Sequence, residues 1–184
     1  MIALYAFGEL CDIVNESNCQ VYRDLATSYA EYWTDFATTT SAPPHSKLAY
    51  DLSGNTWSTK YNLVWQKLLR LDGPFKEFDQ LAANEAAFYR TKVNAYGFPM
   101  DLRHTYQKTD WMTWGSLLSP NKTQFVSFFH HIFRMVNETK TRIPFTDLYD
   151  TVTAEAVIHR KTHDGFTSRP VVGALFAGLW VYGK

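Results

Sequence analysis

Between Tyr96 and Trp111 the chain reads YGFPMDLRHTYQKTDW, which sets Asp101, Arg103, His104, Tyr106, Lys108, Asp110 and Trp111 within sixteen positions. Carboxylates trade protons, guanidinium and ammonium groups bind anions or developing negative charge, and indole or phenol rings stack on ligands. The segment has no helical or alternating period. Ionisable and aromatic groups gathered on a loop point to a site, because loops carry function while cores carry packing. Asp147 and Asp150 add two further carboxylates, three positions apart. On a helical turn they would share a face, and on an extended segment they would point opposite ways. Facing one pocket, they would split their pKa values and divide the roles of acid and base.

These groups need a scaffold, and periodicity supplies most of it. Ile2, Ala6, Leu10 and Ile13 recur at helical spacing, so a helix is expected over residues 1–14. Asn18 is placed to cap a second helix ending near Thr38, with Val21, Leu25, Tyr29, Tyr32 and Phe36 on its buried face. Pro43-Pro44 requires a loop, and Asp72-Gly73-Pro74 ends a third helix that starts at Tyr61. A fourth helix covers residues 78–93, with Leu81 and Phe88, and Ala82 and Tyr89, along one stripe. Thr109 is placed to cap a fifth, which carries Asp110 in its first turn. Asn121 with Gln124 has the form of a capping box for a sixth. There Phe125, Phe128, Phe129, Ile132, Phe133 and Val136 give the cleanest stripe. The segment 146–166 is expected to be irregular or to hold a short β-hairpin, rich as it is in Thr and Val. Pro170 opens a last helix, uncharged from Val171 to Tyr182, which must be enclosed by others.

The expected fold class is therefore all-α. Paired helices with long polar loops at alternate junctions suggest an (α/α) toroid of helical hairpins, its loops lining one mouth. The helix that starts abruptly at Met1 suggests that residues 1–184 come from a truncated gene or are a fragment.

Charge and composition exclude other classes. Lys and Arg total 18 against 18 Asp and Glu, which gives no electrostatic footprint for nucleic acid or an anionic membrane. No apolar run is long enough to span a bilayer. Cys11 and Cys19 flank a turn, and both a disulfide and two free thiols remain open. Neither they nor the adjoining His130 and His131 have metal-ligand spacing, so no metal is expected. No phosphate loop or nucleophile elbow is present, and no cofactor is expected. Asn15, Asn121 and Asn137 each begin an Asn-x-Ser/Thr triplet at a helix end, which tilts the expectation towards a secreted glycoprotein.

Four segments carry a family resemblance. Thr56–Leu69 reads TWSTKYNLVWQKLL, against T-W-S-x-K-Y-N-L-V-W-D-K-L-L. Gly97–Trp111 follows G-x-P-L-D-S-R-x-T-Y-T-K-S-D-W. Pro144–Thr151 follows P-x-[ST]-D-W-Y-D-T, and the segment from Gly165 through Gly173 to Ala174 follows G-F-x-A-R-P-V-V-G-G. In this order they resemble the six-helical-hairpin domain of the fungal glutaminase A family and its bacterial relatives. The sequence departs from the pattern at Gln66, Leu102, Leu148 and Ala174. Gln66 replaces a carboxylate, which matters for activity unless the position only forms a surface ion pair with Lys67.

The resemblance implies a secreted, six-hairpin glycosidase-like ring that hydrolyses the side-chain amide of glutamine to glutamate and ammonia, with residues 1–184 as a partial domain that supplies its C-terminal portion and lacks the N-terminal hairpins. The substrate is then a small molecule, and the N-terminal domains of the longer protein are the implied partners. Asp101, Asp110, Asp147 and Asp150 are the candidate acids, bases or nucleophiles. Arg103 and Arg169 are candidates to grip the α-carboxylate in two-pronged fashion, or to lock an acidic partner. Tyr106 and Lys108 are candidate donors to a substrate carbonyl, and Tyr61, Asn62 and Trp111 complete the binding set. Trp57, Trp65, Trp111 and Trp114 would favour a sugar if they stack on ligand, so glycoside hydrolysis on the same scaffold is the alternative. A non-catalytic accessory domain is the third reading, and it predicts uncovered apolar helix faces.

Overall fold

Helix α1 (Ile2–Ile13) and helix α2 (Gln20–Ala37) form a hairpin that Cys11–Cys19 closes as a disulfide. The computed structural model describes residues 1–141, 145–158 and 165–183. The two helices approach closely because small residues line the seam. A Cβ on Gly8 would lie 2.8 Å from Arg23 Cγ and 3.1 Å from the Cys19 carbonyl oxygen. Arg23 then clasps the hairpin, donating to the Gly8 carbonyl at 2.9 Å and pairing with Asp12 at 2.5 Å. Asn18 sits at φ 63° just before α2 and offers it no side-chain cap.

The buried residues of α2 are Ala26, Ala30 and Ala37. Val21, Leu25, Tyr29, Tyr32 and Phe36, expected inside, are exposed. Periodicity locates an apolar stripe, but it does not say that the stripe is covered. The last helix makes the same point. A 3₁₀ turn, Pro170–Phe176, leads into α7 (Ala177–Tyr182), as the Pro170 start predicts. Yet Phe176, Leu179 and Trp180 are exposed rather than enclosed.

The core lies between helix α4 (Phe78–Arg90), helix α5 (Thr109–Ser116) and helix α6 (Lys122–Glu138). Ala82, Ala86 and Tyr89 of α4 meet Met112 of α5 and Phe125, Phe128, Ile132 and Met135 of α6. Phe98 joins them, stacked on Tyr89 at 4.9 Å and edge-on to Phe128 at 5.3 Å. Phe133 and Val136 belong to the α6 stripe yet face solvent. Asn121 caps α6 by accepting from the Gln124 amide at 3.0 Å, whereas the Gln124 side chain turns to Arg90 instead of closing the box.

Helix α3 (Val64–Leu68) follows a 3₁₀ turn, Tyr61–Leu63. Gln66 is buried here, not on the surface. Its carboxamide donates to the Phe75 carbonyl at 2.9 Å and accepts from the Phe75 amide at 3.1 Å. A carboxylate could accept from that amide but could not donate to the carbonyl. Lys67 meanwhile donates to the Leu117 and Ser119 carbonyls.

Two short strands complete the described residues: β1 (Tyr106–Lys108) and β2 (Leu148–Asp150). They pair antiparallel with Tyr106 opposite Asp150, Gln107 opposite Tyr149 and Lys108 opposite Leu148. The strand expected near 146–166 therefore pairs across the chain with the 96–111 segment. Its own neighbourhood adds single antiparallel bridges, Tyr149 to Ala156 and Ile158 to Gly165. Pro144 and residues 159–164 lie outside the described residues. The fold is mostly helical with a small two-stranded sheet.

Candidate functional site

The 96–111 segment takes its shape from its first residues. Gly97 lies at φ +118°, a conformation that L side chains rarely adopt, and a Cβ there would meet Met112 Cε at 2.8 Å. Phe98 then anchors in the core, and the chain runs out along the Thr56–Lys60 segment. The Thr59 amide donates to the Met100 carbonyl at 2.6 Å, Ser58 bridges Asp101, and the Met100 amide donates to Tyr106 O at 2.8 Å. On the far side the Thr109 amide donates to the Asp147 carbonyl, and the Asp147 amide to Phe166 O, both at 2.8 Å. Backbone hydrogen bonds thus tie together the segments around residues 58, 101, 108, 147 and 166. Thr109 begins α5, so its hydroxyl does not cap the helix, and Lys108 holds the cap position without a side-chain bond.

The charged groups fall into two clusters. In the first, Asp101 accepts from the Arg103 amide at 2.8 Å and from Arg103 Nε and Nη2 at 3.1 and 2.5 Å. Burial works against the charge on Asp101, but the Arg103 hydrogen bonds and field outweigh it and hold the carboxyl below its ordinary range. Asp101, Arg103, Tyr61, Asn62 and Trp111 line one cavity of about 800 Å³. Tyr61 stacks on Trp111 with ring centroids 3.9 Å apart.

In the second cluster Asp147 is fully buried. Arg169 grips both of its oxygens, at 3.1 and 3.0 Å, and Lys108 Nζ lies 3.6 Å away. Phe166 packs under both cations, 4.4 Å from the Arg169 guanidinium and 5.5 Å from Lys108. Asp110 is buried alongside, and its Oδ1 has no hydrogen-bond partner among the described residues. Desolvation pushes the Asp110 carboxyl above its usual range, against the field of Lys108 and with a smaller upward push from Asp147.

Trp111 joins the clusters: it lines the cavity, and Lys108 Nζ sits 5.6 Å over its ring. Tyr106 and Asp150 stand apart from both. Tyr106 stacks on His104 at 5.1 Å, while Asp150 accepts from the Thr105 hydroxyl and from the Val152 and Thr153 amides in a local turn. Asp147 and Asp150 do not converge, because they sit on extended backbone and serve different partners. The forks of Arg103 and Arg169 are each engaged by an aspartate, Arg103 from an exposed rim and Arg169 on a fully buried partner.

Ser58 and Lys60 do not stand out in the sequence as site residues. Lys60 and Ser58 both face the cavity, and Lys60 Nζ donates to Ser58 Oγ at 2.6 Å. The signal was their spacing of two inside the Thr56–Leu69 motif, which places both side chains on one side of an extended segment. Among the described residues no group of His, Cys, Asp or Glu is arranged to hold a metal ion.

No solved structure matches the chain. Glutaminase A of Aspergillus oryzae is 32% identical over 161 residues, which cover 86% of this chain and 22% of that protein. A protein of Arthroderma benhamiae named "Probable glutaminase" is 27% identical over 212 aligned positions, covering 97% of this chain and 23% of the relative. The chain thus spans less than a quarter of the length of these curated relatives. The family model for the glutaminase A six helical-hairpin domain matches residues 1–179, so the chain belongs to that family.

Proposed function

We propose that this chain is the site-bearing part of a glutaminase A-type hydrolase that cleaves the side-chain amide of L-glutamine. The carrying observation is the cavity of about 800 Å³ that gathers Asp101, Arg103, Tyr61, Asn62 and Trp111 from two separate segments. Its volume lies within the range of small-molecule sites. Asp101, held ionised, suits the α-ammonium group of an amino acid, and Arg103, exposed at the rim, suits the α-carboxylate. Tyr61 and Trp111 wall off water on one side. Hydrolysis breaks the amide C–N bond and takes up one water, leaving a carboxylate and ammonium.

A second reading, glycoside hydrolysis, is favoured by the aromatic lining of the same cavity, where Trp33, Trp65, Trp111 and Tyr61 offer faces to a sugar ring. In either reading the full ring is a toroid of six hairpins, and further hairpins of a longer protein cover the exposed apolar faces of α2 and α7. The disulfide and the exposed Asn15, Asn121 and Asn137 support secretion.

Ammonia release from L-glutamine by residues 1–184, set beside release of nitrophenol from aryl glycosides, tests the assignment. Ammonia is expected, with KM raised about 10- to 100-fold by Asp101→Asn as a charged contact is lost. Turnover of the glycoside alone selects the second reading, and turnover of neither removes both.

A further inference from the structure

We propose that Ser58 and Lys60 form a nucleophile–base dyad in this cavity, with Ser58 Oγ attacking the substrate carbonyl and Lys60 Nζ receiving its proton. The inference rests on the amide-hydrolase reading and supplies the reacting groups that the aspartates do not. Asp147 is engaged by two cations and Asp150 by its own turn, and neither they nor Asp110 lines the cavity. Ser58 and Lys60 do line it.

The geometry is that of an activated nucleophile. Lys60 Nζ lies 2.6 Å from Ser58 Oγ, within the reach that such pairs require, and a third group, the Leu48 carbonyl at 3.5 Å, helps fix the amine. The backbone that carries them is pinned on its other side. Trp57 and Thr59 are buried, Thr59 Oγ1 donates to the Pro99 carbonyl at 3.2 Å, and the Lys60 amide donates to the Tyr89 hydroxyl at 2.8 Å. Tyr89 is itself fully buried beside Glu85. Serine and lysine two apart on a rigid extended stretch therefore meet over the cavity without the loss of rotamer freedom that a surface lysine would incur. Burial lowers the Lys60 pKa, the direction a neutral base needs, although Glu85 and Asp101 pull the other way.

The step balances. Neutral Lys60 takes the hydroxyl proton as Ser58 Oγ bonds to the amide carbon, and Asn62, lining the same cavity, is placed to donate to the oxyanion. Collapse breaks the C–N bond, and Lys60 returns that proton to the departing nitrogen as ammonia. Water then adds to the serine ester with Lys60 again as base. The ester C–O bond breaks, the proton goes back to Ser58 Oγ, and the acid product ionises to solvent.

The test uses residues 1–184 with L-glutamine, with the glutamine analogue 6-diazo-5-oxonorleucine as a covalent probe, and with p-nitrophenyl acetate. Ser58→Ala is expected to lower kcat about 10³-fold or more while melting like the parent. Lys60→Arg keeps the cation but cannot act as a base. It is expected to lower kcat at least about 10²-fold and to erase the acid limb of the pH profile. Peptide mass spectrometry is expected to find the probe on Ser58. Ammonia release that survives Ser58→Ala, or a label elsewhere, overturns the dyad and leaves the glutaminase reading standing. A parent that ignores glutamine yet acylates Ser58 with p-nitrophenyl acetate keeps the dyad and removes that reading. No turnover and no label removes both.

Discussion

Two Asp–Arg pairs of the same chemistry lie on either side of Trp111, and their surroundings separate them. Asp101 and Arg103 sit at the rim of a cavity, with 63% of the Arg103 side chain exposed. Asp147 is 1% exposed, gripped by Arg169 and approached by Lys108, with Asp110 desolvated alongside. Water reaches Arg103 and screens that end of the first pair, although the Asp101 side chain is only 10% exposed. The second pair is deprived of that screening, so each charge depends on the others. In the proposed reading the Asp101 side recognises the ligand, while the Asp147 side joins three segments.

The comparison is easiest to break at Asp147. Asp147→Ala leaves Lys108 and the inner face of Arg169 without their anion, and a loss of about 3 kcal/mol in unfolding free energy is expected from urea titration. A loss below about 1 kcal/mol would equate the two pairs and end the distinction. Gly97→Ala tests the positive-φ position from which the 96–111 segment starts. The +118° φ and the 2.8 Å approach to Met112 Cε predict about 2 kcal/mol of destabilisation, read as a lower melting temperature.

Asp110 gives a pH test. Its folded pKa is raised above the unfolded value, so the fold favours the protonated form. Parent stability is thus expected to fall as pH rises from about 4 through the raised value, and then to level off. Asp110→Asn removes that slope, so the variant should gain on the parent between about pH 4 and pH 7 in thermal melts. An unchanged difference would place no charge cost at Asp110. The smallest structural effect is expected at Asp101. Asp101→Asn should move the melting temperature by no more than about 3 °C while weakening glutamine binding in calorimetry, the reverse of Asp147→Ala.

Much of this contrast could be read from residue order, and some could not. Helices α1, α2, α4, α5 and α6 follow from apolar spacing and breakers, and Pro170 opens the last helical segment as expected. Periodicity could not tell a stripe that is covered from one that is bare, which is why Tyr29, Tyr32 and Leu179 were expected inside. The β1–β2 pairing escaped notice because three-residue strands have no period, and their partners lie about 40 positions apart. From the segment between Tyr96 and Trp111, Asp101, Arg103 and Trp111 line one cavity with Tyr61 and Asn62. The division of its charges into two environments was not legible, since burial is a tertiary property. Ser58 and Lys60 were overlooked for a related reason: a serine two residues before a lysine is unremarkable until a cavity opens beside it.

Trp111 stands between the two environments, with Tyr61 stacked on one side and the Lys108 ammonium near its ring. The indole therefore works as a gasket. With a smaller side chain there, solvent from the cavity would seep towards Lys108 and Asp147, raising the local dielectric and loosening ion pairs that do not line the cavity. A lesion at one ring would then surface as a fault in the join between distant loops.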